Sequence, residues 1–199
     1  MQESAKRKVI HLSFRAIFAT IVFAFWTVPM IVFSVVVWRK GNVISTVVFL
    51  LGAGLSLMMF YLPEQYYRPR AFELNGRFYE RLGIRFYKRW MMNGDYMNRF
   101  SRRFLPDYRV IDGCDSMRKF EAQVRTYEKG HLMWFGVTAL AGIYAIVLSS
   151  HVLALCLFTS SLVTQLYPAI LQRYLRIRIT KCLDSRTSPQ ALSNRNRST

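Results

Sequence analysis

Four stretches of the chain carry no charged side chain: residues 16–38, 43–62, 131–149 (with His131 neutral) and 152–171. At 1.5 Å of rise per residue, a 23-residue run such as 16–38 exceeds the roughly 30 Å of hydrocarbon in a bilayer. The pattern predicts four transmembrane helices. The first run follows a basic start containing Lys6, Arg7, Lys8 and Arg15, as a signal peptide would. It is too long for a signal core, and no small-residue cleavage motif follows, so it is read as an uncleaved span. Pro29 inside it frees the carbonyl of Phe25. Residues 39–42 and 149–151 are short enough to make each consecutive pair of spans antiparallel. In the second span, Gly52 and Ser56 form a small-xxx-small pair suited to close helix approach.

Between the second and third runs, residues 63–130 change character. They hold 15 Lys and Arg, 9 Asp and Glu, and many aromatics. Phe78, Leu82, Phe86 and Trp90 recur every four residues, each preceded by an arginine (Arg77, Arg81, Arg85, Arg89). This is the pattern of a helix lying in the lipid interface. Gly83 is expected to break or bend it, Gly94, Pro106 and Gly113 to mark turns, and residues 117–128 to lead helically into the third span. From about residue 185 the polar tail reads as disordered. The predicted fold is all-α: one integral membrane domain over 1–199, with four spans as two hairpins and a cytoplasmic, interfacial helical segment between them.

Composition sharpens this picture. The chain is 52% hydrophobic, yet its formal net charge is +17. Such basicity suits nucleic acid or an anionic membrane surface. Because the apolar residues are gathered into long runs, the membrane is the better reading, and nucleic acid is not an expected partner. Placing both termini inside puts 26 of the 28 Lys and Arg on the cytoplasmic side, leaving only Arg39 and Lys40 outside. The positive-inside rule therefore predicts cytoplasmic termini and a cytoplasmic middle segment. Cys114, Cys156 and Cys182 form no CxxC pair. His11, His131 and His151 are scattered, so neither a disulfide framework nor a metal site is expected.

Two segments carry candidate chemistry. Glu128 and His131 are three residues apart and share a helix face where the third span begins. Such a pair is either a minimal general base with its orienting carboxylate or two polar residues marking a helix end. Ser161, Gln165, Pro168, Gln172 and Arg176 follow at steps of four, three, four and four, as one polar stripe along the fourth helix. Polar atoms in lipid need partners, so the stripe should face the bundle or a wet groove, unless Ser161 and Gln165 only bind helices together. The turn at 149–151 brings Glu128 and His131 to the depth of Gln172 and Arg173. His11 and His151, with no acidic neighbour, read as surface residues. Arg173, Arg176 and Arg178 also read as topology determinants or anionic-lipid contacts.

A set of short motifs follows in order: Phe72-Glu73-Leu-Asn-Gly76-Arg-Phe78-Tyr, Gly83-Ile-Arg85-Phe-Tyr-Lys88, Glu128-Lys-Gly-His131, and Pro168-Ala-Ile-Leu-Gln172-Arg173-Tyr-Leu-Arg176-Ile-Arg178. It resembles the small membrane acyltransferases typified by glycosyl-4,4'-diaponeurosporenoate acyltransferase, over about residues 70–182. Leu175 departs from the family pattern, which tends to carry Asn between the two arginines. The resemblance implies transfer of a fatty acyl group onto a sugar hydroxyl of a glycosylated carotenoid or related glycolipid at the cytoplasmic leaflet. It implies no cofactor beyond an acyl donor such as acyl-CoA or acyl carrier protein.

On that reading, His131 is the base and Glu128 its orienting carboxylate. Gln172 or Arg173 stabilises the oxyanion. Arg176 and Arg178, with Arg85 and Lys88 from the resemblance, hold donor phosphates. Glu73 binds sugar hydroxyls, and Gln165 lines the substrate groove. No Ser or Cys sits in a nucleophile-elbow context, which favours direct transfer. The competing class is a non-catalytic tetraspan adaptor that uses the same basic face for anionic lipid.

Overall fold

The computed structural model describes residues 2–74, 76–91, 94–104 and 113–187. The side chains of residues 2–11, 15, 186 and 187 lie outside the description, as does the expected disorder beyond residue 187; residues 185–187 themselves are helical. The described residues contain helices and no strands.

Eight α-helices follow in order: α1 (Gln2–Lys40), α2 (Val43–Met58), α3 (Arg77–Arg81), α4 (Ile84–Trp90), α5 (Asp95–Phe104), α6 (Gly113–Val147), α7 (His151–Ser161) and α8 (Tyr167–Thr187). Short 3₁₀ turns at Met59–Tyr61 and Glu64–Tyr67 follow α2, and a π-helical segment, Leu162–Leu166, joins α7 to α8. Among the described residues, four continuous helical stretches are long and apolar enough to cross a membrane: Leu12–Lys40, Val43–Tyr61, Gly113–Val147 and His151–Ser185. The expected turn at Pro106 lies outside the described residues.

The helix α6 is the central post. It packs on α7, on α8 and on α2, while α1 lies chiefly against α7. The small-xxx-small pair of α2 does permit close approach, but toward α6 rather than α1. A Cβ placed on Gly136 would come within 2.5 Å of Ser56 Oγ, and one on Gly52 within 3.1 Å of Leu140. Spacing alone shows which face of α2 is small and not which helix will meet it. A core of Phe33, Ala141, Tyr144, Ala145, Ala154 and Leu157 joins α1, α6 and α7. At the α1–α2 turn, Asn42 caps α2 by accepting from Ser45 N at 2.8 Å. The Tyr144 hydroxyl lies 2.9 Å from Ser45 Oγ and 3.1 Å from Thr46 Oγ1, tying that turn to α6.

At the other end of the bundle, residues 63–90 fold onto α8. Gly83 does break the basic-aromatic stretch: at φ +73° it separates α3 from α4, a conformation that any side chain would disfavour. A second core of Tyr79, Ile84, Leu171, Tyr174 and Ile177 seals α3 and α4 against α8. The stripe Phe78, Leu82, Phe86 and Trp90 stays exposed.

Candidate functional site

Three cations of α8 hold the turn-rich loop that precedes α3. Arg173 donates to the Arg68 carbonyl at 3.1 Å, Arg176 to the Tyr67 carbonyl and Lys181 to the Leu74 carbonyl. An irregular loop has carbonyls with no helical partner, and buried ones need donors. The loop's own carboxylate, Glu73, accepts from Arg70 N at 2.6 Å and from Arg173 at 3.0 Å.

Beneath this loop lies Glu128. It is 1% exposed, with Arg176 at 3.0 Å and Arg173 at 3.7 Å. Glu73, Glu128, Arg173 and Arg176 thus form a neutral set of two carboxylates and two guanidiniums, gathered from the loop, α6 and α8. Isolated ions would be far too costly at this burial, and mutual neutralisation makes the group tolerable. The set is not saturated: Arg173 and Arg176 each keep a buried Nε–H with no hydrogen-bond partner among the described residues. Arg125 at the rim carries a buried Nε–H of the same kind.

The surrounding tyrosines report the same buried charge. Tyr67 is pushed up by burial and then by the Glu128 carboxylate. Tyr79 is pushed up by burial and then by Glu73. At the rim, Arg125 bridges Glu64 and Glu121 at 2.7 Å each, and its hydrogen bond to Glu64 lowers that carboxyl below its usual value.

His131 stands one turn of α6 further into the bundle, about 4.5 Å along the axis. Its Nδ1 lies 3.0 Å from Gln165 Oε1. With the Gln165 carbonyl oxygen on that side Nδ1 is the donor, and the neutral imidazole then keeps its lone pair at Nε2. Gln165 lies in the π-helical segment. There Tyr167 N donates to the Leu162 carbonyl, five residues back. In that register the Val163 carbonyl would take residue 168, but Pro168 has no N–H. The Tyr87 hydroxyl of α4 fills the vacancy at 2.7 Å. A π-turn of this sort re-aims side chains and recurs at functional sites. Here it aims Gln165 at His131 and receives Tyr87 of α4 on the same turn.

The expected convergence of the two segments is therefore present, but the pairing within it differs. Glu128 is taken by the two arginines, and His131 by Gln165. The i, i+3 spacing puts Glu128 and His131 on one face, yet an arginine reaching across from α8 out-competes a neutral imidazole for a carboxylate. Of the other expected site residues, Gln172 is half-buried. Arg85 and Lys88 lie outside the buried set, paired with Glu80 at 2.6 Å and Asp95 at 3.4 Å. Arg178 is exposed, its guanidinium 5.7 Å from the centre of the Tyr174 ring. His151 is exposed at the start of α7, and the side chain of His11 lies outside the described residues.

Sequence reasoning missed Tyr67, Tyr79 and Tyr87. Only Tyr87 left a trace, since Pro168 in a polar helix announces a carbonyl in need of a donor.

A helical protein with four candidate spans is the framework of a multi-pass membrane protein, and its buried acid–arginine group lies where a basic segment docks at one end of the bundle. Residues 63–185 match the family model of glycosyl-4,4'-diaponeurosporenoate acyltransferase, and the chain belongs to that family. The match covers the loop, α3–α7, α8 as far as residue 185 and every residue of the buried group, leaving α1 and α2 outside. No curated protein and no solved structure matches significantly.

Proposed function

We propose that this protein is a membrane O-acyltransferase. It moves a fatty acyl group from a thioester donor onto a sugar hydroxyl of a glycosylated carotenoid or related glycolipid. The family match over residues 63–185 carries the reaction class. The spans cross a bacterial inner membrane as two hairpins with both termini in the cytoplasm, the orientation favoured by the Lys and Arg distribution. The exposed stripe of Phe78, Leu82, Phe86 and Trp90 lies in the cytoplasmic interface, where both lipid substrates arrive.

In the proposed step, His131 Nε2 takes the proton of the sugar hydroxyl as its oxygen attacks the acyl carbonyl carbon. The tetrahedral oxyanion is met by the unfilled Nε–H of Arg173 or by the Gln172 amide. The carbon–sulfur bond then breaks, and the leaving thiolate receives the proton from the imidazolium. Gln165, rather than Glu128, holds the imidazole in the tautomer that makes Nε2 the base. Glu128 and Glu73 hold the two arginines in place, and Glu73 also borders the acceptor's sugar.

On this account, Gln165→Leu should lower kcat about tenfold to a hundredfold with little change in KM. Gln165→Glu, which still accepts from Nδ1, should restore most of the loss. Equal effects on kcat and KM, or no rescue by Glu, would contradict the orienting role.

Mass spectrometry of lipid co-purifying with the protein tests the reaction class. A bound glycosylated polyene or its ester is expected. Bulk phospholipid alone would favour a tetraspan adaptor that uses its basic face for anionic lipid.

A further inference from the structure

The cations expected to hold the donor do not act together. Arg176 is 6% exposed and belongs to the buried neutral group. Arg85, Lys88 and Arg178 instead line a separate cavity of about 440 Å³ between α4 and α8, joined there by Arg89 and Lys181. Two carboxylates border it, and each is already engaged: Glu80 by Arg85 at 2.6 Å and Asp95 by Lys88 at 3.4 Å. Arg89, Arg178 and Lys181 have no carboxylate within ion-pair distance among the described residues.

Across the contact of Lys181 with the Leu74 carbonyl lies a second cavity, of about 550 Å³. It is close to charge balance, with Glu64, Glu121 and Asp184 among its arginines, and Arg125 there is held by two carboxylates. Of these two cavities, the first is the one built for an anion.

We infer that the cavity lined by Arg85, Lys88, Arg89, Arg178 and Lys181 binds the clustered phosphates of a free nucleotide thioester of the coenzyme A type. This rests on the acyl-transfer reading above. A fatty acyl group is transferable as a thioester, held either by the free coenzyme or by a carrier protein. The coenzyme brings a diphosphate and a further phosphate on its ribose. A carrier protein brings a single phosphodiester and a broad surface. Three uncompensated cations in one concavity, on the scale of a small-molecule site, match the first. Guanidiniums suit phosphate oxygens because they donate in pairs. Anionic lipid headgroups share this phosphate chemistry, and the test separates the two sources.

The experiment is titration calorimetry on the full chain in zwitterionic lipid discs, with coenzyme A, its analogue lacking the ribose phosphate, and inorganic phosphate as probes. Coenzyme A should bind saturably. Loss of the ribose phosphate should weaken it about tenfold, and the Arg178→Gln/Lys181→Gln double variant by at least as much. Inorganic phosphate should bind far more weakly. Arg89→Gln, on an exposed surface of α4, provides a second variant should the double one fail to fold. Discs containing phosphatidylglycerol should leave coenzyme A bound. The inference is overturned if coenzyme A does not bind, if the variants bind it like the wild type, or if anionic lipid displaces it. Binding without acyl transfer from acyl-CoA would leave the cavity standing and remove the acyltransferase reading. Transfer from a carrier protein, with no coenzyme binding, would do the reverse.

Discussion

Replacing Arg176 with methionine is expected to destabilise the protein by about 3–5 kcal/mol, the range for removing one partner from a buried ion pair. Glu128 is 1% exposed, and Arg176 is its nearest cation at 3.0 Å. Methionine fills similar volume but leaves the carboxylate facing only Arg173 at 3.7 Å, a guanidinium already shared with Glu73. The Tyr67 carbonyl loses its donor at the same time, so the loop preceding α3 loosens with it. Thermal unfolding in lipid discs should show a fall of roughly ten degrees. The double variant Arg176→Met/Glu128→Gln should recover part of this, because the stranded charge is gone. An unchanged melting temperature in the single variant would show that the buried pair does not hold the loop.

The same contacts explain how far the sequence could be read. Charge-free runs of about twenty residues have one low-energy fate in a bilayer, so the four spans were legible from hydropathy alone. The break at Gly83 was legible because a glycine between two amphipathic turns leaves little else for it to do. The meeting of Glu128 and His131 with the Arg173–Arg176 stretch was legible because a three-residue turn forces neighbouring helices to matching depth. Partners within that meeting were not. Helical spacing fixes which face a side chain is on, while a six-atom arginine arm decides what it reaches. Glu128 therefore pairs with Arg176 across the helices instead of with His131 along its own. Gly52 and Ser56 show the same limit: the small face was evident, but its partner, α6, was not. The docking of Arg173, Arg176 and Lys181 onto backbone carbonyls had no sequence signal at all, since those carbonyls belong to every residue type.

Two roles are thereby separated within one basic motif. Arg173 and Arg176 are turned inward to Glu73, Glu128 and the loop. Arg178 and Lys181, further along α8, line the cavity bordered by α4, and Lys181 also donates to the Leu74 carbonyl of the loop. One helix thus serves the buried centre with its first turn of arginines and the water-facing cavity with the next.

His131 is where the account is most exposed to refutation. Its Nδ1 lies 3.0 Å from Gln165 Oε1, and it stands one turn along α6 from Glu128, the carboxylate beside Arg173, which with Gln172 is proposed to meet the oxyanion. General-base catalysis by a positioned imidazole contributes about 10²–10⁴-fold. His131→Phe keeps an aromatic ring of similar size and removes both nitrogens, so the fold should survive while the base is lost. The decisive measurement is ester formation by purified protein in lipid discs, with a labelled acyl donor and a glycosylated polyene acceptor. The wild type should form the sugar ester. His131→Phe, with an unfolding temperature near that of the wild type, should form it at least a hundredfold more slowly. Near-full turnover by that variant would contradict His131 as the base.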